Sequence, residues 1–527
     1  MNASGNPGEL RQKGVKTSCI SDPVSTVAGE ALEKCVDPCA FIILGATGDL
    51  TARKLIPALF NLYQMERLPD PFLVVGCGRS AMDDDRFRSK MAEALKDSGI
   101  SDSAKPADFL SFLHYRSLQY DDDASFTAFA SSLRELEKKA GTSGNRILYL
   151  ALPPTLYQPA ARMIGQAGLA SEGRRDNGWV RLVVEKPFGR DLASAVELDR
   201  GIHEYFKEHQ VFRIDHYLAK ETVQNVLMLR FANAIFEPVW NRRYIDSVRI
   251  SATETLGVEH RAGYYEQAGV IRDMFQNHMM QLLSLTAMEP PSVFEADRVR
   301  DEKVKVYRAL KYFQTDSIDD YLVLGQYQSG TIAGQVVPAY RDEAGVSPDS
   351  LTPTYAMMKV YLDNWRWQGV PFYLVSGKRL KEKRTEIAID FKPVPHSMFR
   401  NILGETVIAN RLVLGIYPEE RIMLTFQTKT PGARMNLRTV TMDFHYHQEP
   451  AEQPLEAYEK VLLDCLLGDQ ILFWRQDGVE ACWAFLTPIL EGCERCGNRA
   501  ETLHPYEAGS RGPEAVKNLH GDFLIRI

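Results

Sequence analysis

Apolar residues along the chain fall into two rhythms. In the first, short uninterrupted runs at 40–44, 72–75, 146–150 and 180–184 alternate with stretches such as 54–65, where apolar side chains recur at helical spacing. Buried strands joined by helices imply right-handed crossovers and a parallel sheet, which predicts a doubly wound α/β Rossmann domain over 38–213. Beyond about 245 the rhythm becomes period two, through Val248, Ile250 and Ala252, then Ile387, Ile389 and Phe391, then Leu412, Leu414 and Ile416. Ile422, Leu424 and Phe426, and finally Val440, Met442 and Phe444, continue it. One apolar face per strand predicts a half-covered, mostly antiparallel sheet, so 214–527 reads as a larger α+β domain. Helical segments are expected at 263–283 and 455–467. Residues 1–37, rich in Gly, Ser, Lys and Glu, read as a flexible extension without the apolar stretch of a secretory signal.

Composition narrows the classes. A chain of 527 residues exceeds one compact core, and 45% hydrophobic with 25% charged residues suits a globular enzyme. The formal net charge of −7 argues against partners such as nucleic acid or an acidic membrane, so an anionic ligand must be met by a local basic cluster. No apolar run is long enough to span a bilayer, and a cytoplasmic location is the default expectation. The eight cysteines form no regular framework. Cys493 and Cys496 lack a second ligand pair, so no metal site is predicted. Cys19, Cys35 and Cys39 cluster in or beside the extension and read as ordinary thiols, with sensitivity to oxidation as the alternative.

Four constellations carry candidate chemistry. Gly45-Ala46-Thr47-Gly48-Asp49-Leu50 follows the first strand and opens a helix, a turn in which backbone amides can approach a pyrophosphate, although alone it could be a plain turn. The second strand ends in Gly78-Arg79-Ser80 with no carboxylate before Asp83, which favours NADP over NAD because arginine pairs with a 2′-phosphate. Glu185-Lys186-Pro187-Phe188-Gly189 directly follows a strand, so Lys186 should enter the crevice at the carboxyl edge of the sheet. In Arg213-Ile214-Asp215-His216-Tyr217-Leu218-Ala219-Lys220-Glu221, His216, Tyr217 and Lys220 form a donor-rich group suited to a phosphate monoester. Farther on, His278 is a candidate base for a sugar hydroxyl. On an α-helix Asp273 would lie about 140° around from it, so the orienting carboxylate must come from elsewhere, and Asp215 is the candidate.

In combination and order these motifs, with Ile271-Arg272-Asp273, resemble the glucose-6-phosphate dehydrogenases along nearly the whole chain after residue 38. The resemblance implies oxidation of D-glucose 6-phosphate to 6-phospho-D-glucono-1,5-lactone with hydride transfer to NADP, the entry reaction of the pentose phosphate pathway. It implies a cofactor site of Gly45 to Leu50, Lys54, Arg79, Tyr157 and Lys186, the last also touching the sugar. The phosphate would be held by His216, Tyr217, Lys220 and Lys378, with Lys383 standing where an arginine is common. Glu254 and Asp273 would bind sugar hydroxyls, and His278 with Asp215 would be the catalytic pair. A homodimer or homotetramer is implied as well. Many eukaryotic members hold a second, structural NADP, but Val375, Ala388, Gly415 and Thr425 stand where basic residues would be expected and only Arg384 remains, so that site is expected to be weak or absent. Two other readings use the same residues: a different sugar oxidoreductase built from a Rossmann domain and an open sheet, and a noncatalytic NADP-binding sensor.

Overall fold

The computed structural model describes residues 36–100, 106–120, 122–173, 178–215, 221–313, 315–396, 398, 407–432, 436–445, 455–495 and 499–520. Residues 1–35 with Cys19 and Cys35, the phosphate candidates His216, Tyr217 and Lys220, and Cys496 lie outside them.

Six short strands, β1 (Cys39–Leu44), β2 (Phe72–Gly78), β3 (Leu113–Ser117), β4 (Arg146–Leu150), β5 (Val180–Val184) and β6 (Val211–Arg213), form a parallel sheet in the order β3-β2-β1-β4-β5-β6. β1 is apolar at all six positions and fully buried, as a strand with helices on both faces must be. The crossover helices are capped by their own sequences. Asp122 accepts from Ala124 and Ser125 to start Asp123–Ala140, which ends on left-handed Gly141, and Asp191 forms a capping box with Ser194 at the head of Leu192–His203. Strand order reverses between β1 and β4, which opens a crevice at the carboxyl edge.

The second sheet has nine strands: β7 (Ile245–Thr253), β8 (Leu322–Gln328), β11 (Tyr355–Val360), β12 (Phe372–Gly377), β13 (Arg384–Phe391), β14 (Arg411–Tyr417), β15 (Arg421–Lys429), β16 (Leu437–His445) and β17 (Leu503–Glu507). Their order is β16-β15-β14-β13-β7-β12-β11-β8-β17, while β9 (Gly330–Ile332) and β10 (Gln335–Val337) form a separate hairpin. All pairings in the large sheet are antiparallel except β7 with β12 and β8 with β17. Of the expected alternation in burial, β14 keeps most, with Leu412, Leu414 and Ile416 buried and Arg411, Val413 and Tyr417 half-buried, whereas β15 is half-buried almost throughout and β16 is mostly exposed. β12 and the interior of β13 are buried at every position; Leu374, Ile387 and Ile389 pack into the main core, and on the other face of β12 Tyr373 and Val375 cluster with Tyr506, Val516 and Leu519. β8, β11 and β12 escaped the period-two reading for that reason. At the far edge Met442 and Phe444 of β16 are 61% and 57% exposed.

Residues 36–527 form one compact unit in which the cofactor sheet also receives cover from late in the chain. Helix Ala457–Leu467 places Val461, Leu462, Cys465 and Leu466 in the core around β1, and Asn61 donates to Glu459 at 2.6 Å.

The expected helix over 263–283 is three pieces. Ala262–Val270 is broken at Gly269, whose φ of +59° and ψ of 177° belong to a region that is essentially glycine-only. Ile271–Met279 winds as a π-helix, and Met280–Ala287 continues as α-helix. Two buried indoles fix its end, Trp240 donating to Thr286 O and Trp367 to Ala287 O, each at 2.8 Å. Trp483 likewise donates to Phe188 O at 2.8 Å and holds the loop after β5.

Cys39, beside the extension, stands inside β1 and is fully buried. Burial pushes its thiol well up, and does the same to Cys77, Cys465 and Cys482, whereas Cys493 is half-buried. Since the thiolate is the reactive form, a brief alkylation pulse on native protein followed by peptide mass spectrometry is expected to label Cys493 ahead of all four, with denaturant erasing the difference.

Candidate active site

The glycine turn is tied to the neighbouring strand. Gly45, at φ +94°, donates to Cys77 O at 2.9 Å and to Tyr120 Oη at 2.8 Å, and Ala46 donates to the same carbonyl at 2.9 Å. A Cβ on Gly45 would stand 2.1 Å from Ala151 O, so no other residue fits this close approach. Beyond it Thr51–Leu55 makes a π-turn before helix Ile56–Gln64. Thr47, Gly48 and Leu50 are partly or fully open to solvent, Lys54 is exposed, and Asp49 pairs with Arg53 at 2.7 Å. Arg79 and Ser80 are exposed after β2, their backbone held by Gln119 at 3.3 Å and Tyr115 at 2.7 Å. A glycine cradle with an open guanidinium and no acid at the strand end fits a phosphorylated dinucleotide such as NADP. Lys90, which the sequence reading passed over, donates to Thr47 O at 3.0 Å and adds a second cation here. Tyr157, expected in the cofactor site, is 1% exposed with its side chain packed in the core.

Parallel pairing brings the chemistry together. β5 and β6 are neighbours in register, Val184 opposite Arg213, so Lys186 and Asp215 leave the sheet at the same edge. Asp215 is 4% exposed and His278 1%. His278 Nδ1 lies 2.6 Å from Asp215 Oδ1, and Lys186 Nζ lies 3.0 Å from His278 Nε2. With Nδ1–H donating to the carboxylate, Nε2 carries the lone pair and faces outward to Lys186. Burial lowers the His278 pKa, as does the Lys186 ammonium, while Asp215 opposes both. The imidazole is therefore neutral and able to accept a proton at neutral pH.

The π-helix alters the angular relation predicted for Asp273. In π-winding, position i meets i+5, so Asp273 and His278 stand about one turn apart rather than on different sides. Lys186 accordingly reaches both, donating to Asp273 O at 3.2 Å and approaching Oδ1 at 3.5 Å. Tyr264 donates to the same oxygen at 3.4 Å, and Arg261 lies 4.0 Å from it. Burial alone would raise the Asp273 pKa, but Lys186, Lys378, Arg261 and His278 together hold it below the usual carboxylate range.

Lys378 and Glu254 are joined by the parallel pair β7 and β12, whose ends Thr253 and Gly377 are in register. The two side chains form an ion pair, and the ammonium sits 5.2 Å from the Tyr265 ring. Lys383 is not brought to this group: it is exposed, with Nζ 4.4 Å from the Tyr417 ring. Arg384, the one basic residue the resemblance would retain for a second nucleotide, is engaged by Glu382 at 2.7 Å and Glu386 at 3.7 Å.

Sequence reasoning gave no role to Arg261, Tyr264 or Glu185. The doublet Tyr264-Tyr265 ahead of Asp273 was the available signal. Glu185 is a half-buried carboxylate beside Lys186, accepting from Tyr149 at 2.6 Å and Tyr458 at 3.2 Å; desolvation raises its pKa against these bonds.

Known proteins share this arrangement of chain. A family model described as glucose-6-phosphate dehydrogenase, NAD binding domain, matches residues 42–225, and its C-terminal domain counterpart matches 227–522. The chain is 45% identical to a glucose-6-phosphate 1-dehydrogenase of Aggregatibacter actinomycetemcomitans, covering 91% of this chain and 95% of that one. It is 42% identical to the protein of that name from Bacillus subtilis, over 91% and 96%. A solved glucose-6-phosphate dehydrogenase in complex with glucose-6-phosphate superposes with a TM-score of 0.84 at 35% identity, over 92% and 98%. The Mycobacterium avium glucose-6-phosphate 1-dehydrogenase gives 0.78 at 31%, over 92% and 97%. With two family models spanning the two sheets, and relatives matched along almost their full length, this chain belongs to the glucose-6-phosphate dehydrogenase family.

Proposed function

We infer that this chain oxidises glucose 6-phosphate at C1 to the 6-phosphoglucono-1,5-lactone and that it uses NADP as the hydride acceptor. The observation that carries the reading is the chain of contacts Asp215–His278–Lys186, which presents a neutral imidazole nitrogen to Lys186 beyond the carboxyl edge of the parallel sheet. His278 Nε2 takes the 1-hydroxyl proton, and Asp215 stabilises the imidazolium that results. Lys186, free to turn from Nε2 to a bound sugar, fixes the hydroxyl beside it. Asp273 and Glu254 accept from other hydroxyls. Lys378, from the large sheet, joins His216, Tyr217 and Lys220 on the phosphate ester. When bound, the nicotinamide of NADP supplies the hydride acceptor. Its 2′-phosphate would meet Arg79 and, beside the turn, Lys90.

The exposed apolar Met442 and Phe444 at the edge of the large sheet support pairing of two chains through this region, in a homodimer or a homotetramer. Light scattering on the native protein checks it.

Absorbance of the reduced nicotinamide tests the activity directly: glucose 6-phosphate with NADP is expected to react, glucose with NADP to react poorly. His278→Asn is expected to lower kcat by about 10²- to 10⁴-fold with KM for glucose 6-phosphate nearly unchanged; comparable turnover would remove His278 from the mechanism. Asp215→Asn removes the group that raises the imidazole pKa. The acid limb of kcat should then move to lower pH while the plateau drops by about 10²-fold or more, and a limb moving upward contradicts the pairing. Arg79→Ala should raise KM for NADP by about 10- to 100-fold and leave KM for NAD in place, as loss of one charge-assisted contact requires.

A further inference from the structure

One buried cation has no part in the mechanism above. Lys303 lies on helix Ala296–Arg308, 2% exposed, and its Nζ has no hydrogen-bond partner among the described residues. An ammonium in such a place is costly to the fold, and a methionine of similar length would fill the space without that penalty. Packing alone gives no reason for the charge.

Its surroundings lead to the catalytic pair. Nζ stands 5.9 Å from the Trp474 ring. The Trp474 amide donates to Arg213 O at 3.1 Å, an antiparallel bridge onto β6, and Asp215 is two residues further along. Tyr307, one turn beyond Lys303, stacks on the same indole at 5.4 Å and donates to Ser284 Oγ at 2.9 Å, on the helix that continues from His278. Lys303 is thus joined to Asp215 through the Trp474 indole and the end of β6.

The charged and titratable groups facing Lys303 are Arg300 on its own helix, Asp215 beyond β6, and Cys482 and Arg475 from the segment of helix Gln476–Arg495. Arg300 is engaged by Asp297 at 2.7 Å, and Arg475 by Asp301 and Asp477 at 2.8 Å each. Burial keeps the Cys482 thiol neutral. Asp215 is the carboxylate of this set. Burial, then Arg300, pulls the Lys303 pKa down to about 7, with Asp215 opposing, so the ammonium is charged on the acid side of neutrality.

We propose that Lys303 is a positioning residue of the reaction, acting through Asp215: its charge near the carboxylate keeps Asp215 ionised toward His278 Nδ1 and limits how tightly the pair holds a proton. The inference rests on His278 as the base. A pair without this cation would bind its proton more firmly, and His278 would already be protonated where it should be accepting.

The test uses the full-length enzyme with Lys303→Met, and Lys303→Arg as the variant that keeps the charge. Histidine-labelled protein is titrated without substrate, and His278→Asn identifies the His278 ring signal. In Lys303→Met the His278 titration is expected to rise by about one pH unit. The acid limb of kcat should rise with it, and turnover below that limb should fall about tenfold. KM for glucose 6-phosphate should stay within about twofold, and the melting temperature should not drop. Lys303→Arg should keep the wild-type titration. A merely structural lysine would change the folded fraction but not the midpoint, so an unmoved His278 titration in folded Lys303→Met overturns the proposal. Lys303→Gln carries the same readout where the methionine chain does not fold. A shifted titration in a protein that never turns over glucose 6-phosphate supports the Lys303–Asp215 coupling and overturns the activity reading instead.

Discussion

A buried carboxylate bound to a buried imidazole is the constraint around which this chain is arranged. Asp215 and His278 are almost wholly removed from water, where an ionised acid is stable only if hydrogen-bonded and matched by charge. Asp215 is fixed because β6 pairs with β5, and Ile214 donates to Val184 O at 2.9 Å just before it. His278 is fixed because the helix that continues from it is anchored by the indoles of Trp240 and Trp367. One partner thus belongs to the first sheet and the other to the layer packed on the second. Their 2.6 Å contact has meaning only if both layers hold register.

Charge is distributed to serve that contact. A molecule of net charge −7 gathers Lys186, Lys378 and Arg261 around Asp273, in front of the pair. Each cation has an acidic or imidazole neighbour within the group, which keeps the cluster affordable to the fold while leaving donors near the crevice. An anionic sugar ester meets these local fields, since surface fields of opposite sign are screened over about 10 Å at ordinary ionic strength.

The parallel sheet was legible because buried strands are continuous apolar runs, and 146–150 and 180–184 coincide with β4 and β5. The second sheet was legible at β7, β13, β14, β15 and β16, whose sequences alternate apolar and polar residues, even though β7 and the interior of β13 are buried on both faces, and not at β12, whose buried run does not alternate. For the candidate site, what was legible is position: Gly45, Arg79, Lys186 and Asp215 each follow the end of a parallel strand. Side-chain surroundings are decided by tertiary contact instead, which sets Lys383 over the Tyr417 ring and packs Tyr157 in the core. Cys39, beside the extension, is strand interior, a boundary that composition alone does not mark.

Helix type was the least legible property and the most consequential. Among the described residues π-winding occurs twice, at Thr51–Leu55 after the glycine turn and at Ile271–Met279 under the base. A π-turn has poorer packing along its axis than an α-turn and is kept in short pieces, commonly at functional sites. At 271–279 its effect is geometric: α-winding would carry Asp273 roughly 140° away from His278, and Lys186 could then touch only one of them. The wider turn gives a single lysine both the carboxylate and the imidazole, at 3.5 and 3.0 Å. The break at Gly269 makes this tolerable, because the strain of changing helix type ends there instead of spreading into Ala262–Val270. A residue with a Cβ at that φ and ψ would resist the break, and the five-residue spacing that joins Asp273 to His278 would lose its starting point.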